Sequence, residues 1–360
     1  MSTYGILPAS DKTAWRTVLD ECGLHDTYHL AEYHDLAEAQ GEGEAYLFYY
    51  RNMGHCAALP FLLRPVSSVH GLEEFVYNDA TSVYGYPGIV SSLRTEEAQS
   101  VKFRRGFHES IRQALSEARV IAFFTRLNPL LSTWWLFDGI AHVVPLSHTV
   151  AIDLRLNRKE QNMGMSKGHR YDIRKASAVG VTVEEDPLFE RIDEFMAIYN
   201  TTMDRVGSTA YYYFPRDYYF KLKSFLGDRV KVYFARYQGV IVSCAMFLVT
   251  NGIVQYHLSG SLAECPYSGI KLILDHVCEM GTKAGHQWLH LGGGLGSSQD
   301  SIFRFKAGFS RLRFPFHIAK SIVDKKAYMQ VIDLWHRTLM GKGISIPPDS
   351  GYFPEYRRAL

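Results

Sequence analysis

The chain reads as α/β in the α+β sense, with mixed central sheets and flanking helices divided between two domains. Three observations lead there. Its 360 residues exceed what one ordinary core accommodates. Hydrophobic residues make up 47% and charged residues 21%, a balance that folds rather than stays disordered. Strand-like apolar runs alternate with helical periodicity along the chain. In residues 230–261, however, strands follow one another through tight turns, which a purely parallel sheet does not allow. The boundary falls near Ser147, giving a first domain over 1–146 and a second over 147–320.

In the first domain, residues 11–40 carry helices parted near Gly23, with Asp11 as an N-cap. Residues 45–52 and 55–63 pair as strands around Asn52 and Gly54. YNDATSVYGYPG, from Tyr77 to Gly88, is rich in turn formers and reads as a loop at a strand end. Either it is a tyrosine-rich structural loop, or Asp79, Tyr84 and Tyr86 form a ligand wall, since tyrosine offers a flat face and a polar tip together. A helix over 95–118 carries Val101, Phe107, Ile111 and Leu115 near helical spacing, and the strand 120–125 runs into Arg126-Leu127-Asn128-Pro129.

The second domain opens with a strand at 148–154 and a helical stretch at 157–179 that holds the densest basic cluster in the chain, from Arg155 to Lys175. A solvated helix face explains such a cluster. So does a phosphate-binding surface, on which Lys167, Arg170 and Arg174 would contact an RNA end. After the strand 181–186, a helix over 188–205 ends at Arg205. There a cation suits the helix dipole or clamps a phosphate beside Tyr211, Tyr212 and Tyr213. The helix 216–226 precedes the strands 230–238, 240–250 and 253–261, turned by Gly239 and by Asn251-Gly252, a strong hairpin signal. A helix over 267–284 leads to HQWLHLGGGLGSSQDSIFRFKAGFS, residues 286–310, and a strand at 311–319 follows.

The stretch 286–310 is the chemical centre of the reading. A short strand through His290 meets Gly292, Gly293 and Gly294, which admit positive φ and close approach of another group. Asp300 then caps a helix that carries Phe305 and Lys306, setting a lysine beside an open strand end. An ordinary strand-to-helix turn with a surface lysine is the competing reading.

Bulk properties remove several classes. A net charge of +2 does not describe a dedicated nucleic-acid binder, although a local basic patch remains compatible with RNA. The five cysteines are scattered without metal-ligand spacing, which fits reduced thiols in the cytoplasm and no metal site. No secretory leader and no membrane-length apolar run is expected.

The element order of the second half, with its three-stranded meander, helix, strand, helix and strand, resembles the GNAT N-acyltransferases. That resemblance implies that strands 253–261 and 288–291 splay and bring Tyr256 and His290 to the glycine turn and Lys306. More specifically, MSKGHRYDIRKASAVGV (165–181), IYNTTMDRVGSTAYYYF (198–214), YHLSGS (256–261) and LHLGGGLGSSQDSIFRFKAGF (289–309) resemble the FemABX family of aminoacyl-tRNA-dependent aminoacyltransferases. The DATSVYGYPG loop and the RLNP turn extend the match into the first half. The family implies tandem GNAT-like domains, with the helix over 324–340 returning to the first and a tail over 341–360. It implies transfer of an amino acid from its tRNA ester to an amine, with no bound cofactor.

Carried over by resemblance, Phe305 and Lys306 match the pair that holds the tRNA 3′ end and the oxyanion. Arg205 matches an acceptor-phosphate arginine, and Tyr256 a site tyrosine. Gly292 and Gly293 would add backbone N–H groups to the site, and His290, Asp79, Tyr84 and Tyr212 would line it. Asp79, Asp300 and His290 stand as alternatives for taking the amine proton. Residues 29–38, HLAEYHDLAE, lack the lysine with which peptidoglycan-acting members grip a nucleotide diphosphate, so a small amine is as good an acceptor as a peptidoglycan precursor. The alternatives are a CoA-dependent N-acyltransferase on the same fold and a non-catalytic aminoacyl-tRNA or nucleotide-binding protein. Against CoA, the segment SLAECPYSGIKL has only Gly269 where a glycine-rich pyrophosphate turn is needed.

Overall fold

A computed structural model describes residues 2–94, 97, 100–345 and 351–358. The chain divides into two compact units, Met1–Leu146 with Phe316–Leu360, and Ser147–Pro315. Positions 95, 96, 98 and 99 of the helix expected over 95–118, and positions 346–350, 359 and 360 of the tail, lie outside the described residues.

The first unit begins with β1 (Thr3–Pro8), α1 (Lys12–Cys22) and α2 (Ala31–Ala39). It continues through β2 (Glu44–Asn52), β3 (His55–Pro65), β4 (Asn78–Thr81), β5 (Val90–Ser91), α3 (Ser100–Glu117) and β6 (Val120–Arg126). Asp11 caps α1 by accepting from the Ala14 amide, as its residue type suggests. The pair β2 and β3 turns at Met53 and Gly54, both with positive φ. Phe103, Phe107 and Ile111 bury the apolar stripe of α3 against Phe48, Phe61 and Phe123 of the sheet.

The second unit holds β7 (His142–Asp153, its last seven residues), α4 (Arg158–Gly164), α5 (Lys167–Ala178), β8 (Thr182–Glu185), α6 (Ile192–Val206) and α7 (Arg216–Leu226). There follow β9 (Val230–Tyr237), β10 (Val240–Thr250), β11 (Ile253–Ser261), α8 (Gly269–Lys283), β12 (Trp288–Gly292) and α9 (Ser301–Ala307). Gln238-Gly239 and Asn251-Gly252 all take positive φ, the geometry a two-residue hairpin requires. The chain then enters β13 (Arg313–Ile322) and α10 (Lys325–Gly341), capped by Asp324.

Each unit has the same topology. In the first, β1, β2, β3 and β4 form an antiparallel ladder, β4 pairs β6 in parallel, and β13 closes the edge antiparallel to β6. In the second, β8, β9, β10 and β11 form the ladder, β11 pairs β12 in parallel, and β7 closes it. The closing strand of each unit therefore comes from a distant part of the chain.

Four expectations need correction. β1 was not anticipated, because TYGILP is short, contains a glycine and shows little burial, and only its ladder with β2 holds it extended. The helical stretch 157–179 is two helices, because Ser166 caps α5 by accepting from the His169 amide. Asp79 is on β4 rather than in a loop. Its expected place in a ligand wall also gives way to an ion pair: it is fully buried, accepting from Arg64 Nε at 2.7 Å and from Arg357 Nε at 2.8 Å. A buried carboxylate has to be neutralised, and Arg357 also donates to the Pro65 carbonyl and to Ser68, tying residues 355–357 to β3.

Asp79→Ala is therefore expected to cost the first unit about 3 kcal/mol, by stranding two guanidinium groups. A urea denaturation midpoint lowered accordingly would bear this out. An unchanged midpoint would contradict it.

Candidate functional site

The second unit opens where two strands part. Parallel pairing of β11 with β12 covers only Ile253↔Trp288, Val254↔Leu289 and Gln255↔His290. Beyond that point β11 stays with β10 as far as Ser261, while β12 follows β7 to Gly292. Tyr256 stands on one side of the opening, and Leu291 and the glycines stand on the other.

The turn after β12 is built by constraints that glycine alone satisfies. Gly292 has φ +76. At Gly294 a Cβ would lie 2.1 Å from the Ser298 carbonyl oxygen and 2.5 Å from Asp300 Oδ1. Asp300 ties both ends of this turn, accepting from the Leu295 amide at 3.0 Å and the Phe303 amide at 2.8 Å. Its second role, on Leu295, was not legible from its place as an N-cap. Burial raises the Asp300 carboxyl, but those amides, the Ile302 amide and the Lys306 charge bring it below its ordinary value.

Lys306 projects from α9 under the turn. Its Nζ donates to the Gly293 carbonyl at 2.7 Å and stands 5.9 Å from the centre of the Tyr256 ring. Burial pulls this ammonium down to about 8, against the opposing charge of Asp300. It is thus cationic at pH 7 and close to its titration point. Tyr256 donates to Ser259 Oγ at 2.5 Å, which fixes the ring facing the lysine. Lys306, Tyr256, Gly292 and Gly293 are brought together, and Gly293 contributes a carbonyl that holds the lysine.

His290 falls elsewhere. Side chains alternate across a strand, so His290 and its ladder partner Gln255 face away from Tyr256. His290 is fully buried, with Nδ1 2.8 Å from Gln255 Oε1. The expected site role of His290 gives way to a core polar pair at the last rung before the strands part. Gln255 was the signal for it, a polar residue within an apolar strand.

Phe305 belongs to the core packing of the unit, and its carbonyl lies 2.9 Å from His169 Nε2. The His169 ring also meets Phe309 edge-on at 4.7 Å, and the Ser166 amide donates to the Gly308 carbonyl. Burial and the Lys271 charge depress His169, with the Phe305 carbonyl opposing, so it docks as a neutral ring. This contact sets the basic α5 against the lysine-bearing α9. Arg170 turns inward, donating to the Met165 carbonyl at 2.9 Å and to that of Asn162, so it closes the end of α4 instead of presenting a free phosphate contact. Lys167 and Arg174 are exposed.

On the opposite sheet face, Arg205 in the last turn of α6 donates to the Ser261 carbonyl at 3.0 Å. Tyr212 accepts at its carbonyl from the buried Tyr199 hydroxyl, which pins the aromatic turn to α6. These residues brace the end of β11, and no described contact joins them to Lys306.

Tyr84 lies in the first unit, in the loop after β4. That loop fills the equivalent opening between β4 and β6. Ser82 Oγ accepts from the Arg126 amide, the Tyr86 carbonyl accepts from Asn128, and a Cβ on Gly88 would lie 2.8 Å from the Asn128 nitrogen. The stretch 29–38 is likewise committed to packing: Glu32 and Asp35 pair with Arg16 and Lys12, and His34 is fully buried. Among the described residues no group of three or more His, Cys, Asp or Glu is arranged to hold a metal ion. No described helix is long and apolar enough to cross a membrane.

With this geometry in view, comparisons with known proteins place the fold. Residues 115–238 match the model of the FemAB family. No curated protein sequence matches the chain. The crystal structure of FemX is similar at a TM-score of 0.67 and 11% identity, covering 91% of this chain and 99% of that one. The C-terminal domain of a putative lysylphosphatidylglycerol synthetase from Agrobacterium fabrum is similar at a TM-score of 0.53 and 15% identity, over 92% of this chain and 96% of that one. L-PGS from Bacillus licheniformis follows at 0.52 and 14%, over 89% and 96%. At these identities the likeness is one of fold, the tandem GNAT-like arrangement shared with FemX.

A half-buried ammonium that the fold would do better without has a measurable signature. Its value in the folded chain is below its unfolded value of 10.5, so the penalty is fully present below pH 8 and disappears as pH rises from about 8 to 10.5. Lys306→Met should therefore raise the thermal midpoint at pH 7 and flatten the rise in stability across that alkaline window. A lower midpoint at pH 7 would show that the lysine serves the fold.

Proposed function

We propose, from the FemAB-family match over residues 115–238 and the FemX-like fold, that this protein transfers an aminoacyl group from aminoacyl-tRNA to an amine, forming an amide bond. The observation that carries the reading is Lys306, held by the Gly293 carbonyl at the mouth of the parted strands.

An aminoacyl ester is already activated, so its aminolysis depends on placement and on relief of the developing negative charge. The neutral acceptor amine attacks the ester carbonyl, and a C–N bond forms as the carbonyl oxygen takes up the electron pair. The Lys306 ammonium donates to that oxygen. Collapse then breaks the ester C–O bond, and the 3′ oxygen of the terminal ribose leaves with the proton that the amine loses. Asp79, Asp300 and His290, considered as proton acceptors, are each committed elsewhere: to two arginines, to two backbone amides, and to Gln255 on the other sheet face. The amine accordingly arrives neutral, and its proton reaches the leaving oxygen directly or through water.

The CoA-dependent alternative is disfavoured by the segment after β11. Its one glycine, Gly269, is a packing glycine, since a Cβ there would lie 2.8 Å from both Ala235 Cβ and Ser243 Oγ. Its lack of a side chain serves the contact of α8 with the sheet, and no glycine-rich turn remains to cradle a pyrophosphate.

The test is transfer of labelled amino acid from total aminoacyl-tRNA, against a panel of acyl-CoAs, with a cell extract supplying amines. Ribonuclease-sensitive transfer is expected, falling about a hundredfold or more in Lys306→Met. Transfer from an acyl-CoA that ribonuclease leaves untouched would overturn the reading.

A further inference from the structure

The outer face of α5 is organised in a way that neither its packing nor its stability explains. Ile173 and Ala176 are buried, and His169 docks on α9. At about 100° per residue, Lys167, Tyr171 and Arg174 fall together on the side opposite this buried stripe. Tyr171 is 58% exposed, a large aromatic between two cations on a solvent face. Lys167 occupies the first turn of the helix, which has no acidic residue, so its charge opposes the dipole. The acidic residue of this helix, Asp172, is engaged by Lys271 from α8. Lys175, on the flank, lies over the Tyr267 ring. The face therefore remains cationic, and it starts beside Ser166, whose amide holds the Gly308 carbonyl at the end of the lysine-bearing helix.

We propose that Lys167, Tyr171 and Arg174 form a binding stripe for single-stranded RNA, on which Tyr171 stacks against an unpaired base and the two cations hold the flanking phosphates. Every base offers a flat face, so stacking of this kind tolerates sequence, and the cations supply the salt-dependent part of the affinity. The stripe is about 10 Å long along the helix axis, the scale of a few nucleotides. It rests on the proposed use of aminoacyl-tRNA and adds to it Tyr171 as the residue that separates a single strand from a duplex. Bases in a duplex are already stacked and offer Tyr171 no face.

The experiment compares the full-length protein and its variants for binding fluorescently labelled uncharged tRNA, intact or trimmed of its unpaired 3′ nucleotides. The intact tRNA is expected to bind more tightly. Tyr171→Ala should weaken intact tRNA about tenfold and leave trimmed tRNA unchanged, whereas Tyr171→Phe should retain the wild-type preference. Lys167→Ala should reduce the slope of log affinity against log salt by about 0.7. Equal binding of both tRNAs by the wild type, or an unaltered preference in Tyr171→Ala, would overturn the stripe while leaving the donor reading standing. Absence of binding to either tRNA would instead remove the donor reading and the stripe with it. Binding to phosphatidylglycerol vesicles that Tyr171→Ala abolishes, with tRNA binding untouched, would also overturn it and assign the face to a membrane surface. Circular dichroism identifies a variant that has not folded, and Tyr171→Leu then replaces it, with the same outcomes.

Discussion

The site depends on the short parallel contact between β11 and β12. After Gln255 and His290 the strands no longer share hydrogen bonds, because β11 remains bound to β10 while β12 follows β7. A gap in a sheet exposes backbone polar groups and would ordinarily be filled. Here it is held open from both sides. The buried His290–Gln255 pair fastens the last rung, and Thr202 and Arg205 of α6 fasten the far end of β11 at Ser261. The glycine turn then brings the chain back across the opening so that α9 can set Lys306 inside it.

The two units show the same topology put to different ends. In the first unit, the opening between β4 and β6 is taken by the chain itself: the Ser82–Gly88 loop is bound to Arg126 and Asn128, and Gly88 seats where no side chain fits. In the second, the corresponding place carries a half-buried cation instead of a plug. Burying an ammonium costs folding free energy that an apolar side chain would not. The role proposed for Lys306 accounts for that cost.

Most of the fold could be read from local chemistry. Asn251-Gly252 and Gly239 located the hairpins, Asp11 and Asp300 located helix starts, and apolar spacing located α3, whereas α10 was expected only from the family resemblance. At the site, the nearness of Lys306 to the glycines was legible from one turn, whereas that of Tyr256 came with the GNAT resemblance, which also placed His290 there, on the wrong sheet face. What escaped the reading depends mostly on partners far away in the chain. Asp79 is defined by Arg357 and the docking of His169 by Phe305, while Arg170 escaped for a local reason, the break between α4 and α5 whose end it closes. Each residue type suited a ligand site equally well. Only the three-dimensional partner distinguishes a carboxylate that meets substrate from one that holds a tail in place.

The central claim is that the Lys306 ammonium stabilises charge that develops in the reaction and contributes little to holding the ground state. A short RNA carrying a 3′-linked tetrahedral phosphonate in place of the aminoacyl ester mimics the oxyanion, and the same RNA with a 3′-amide mimics the ground state. The account predicts that Lys306→Met weakens binding of the phosphonate about a hundredfold and of the amide by only a few-fold. Equal losses for both ligands would contradict it and would make Lys306 a general RNA contact.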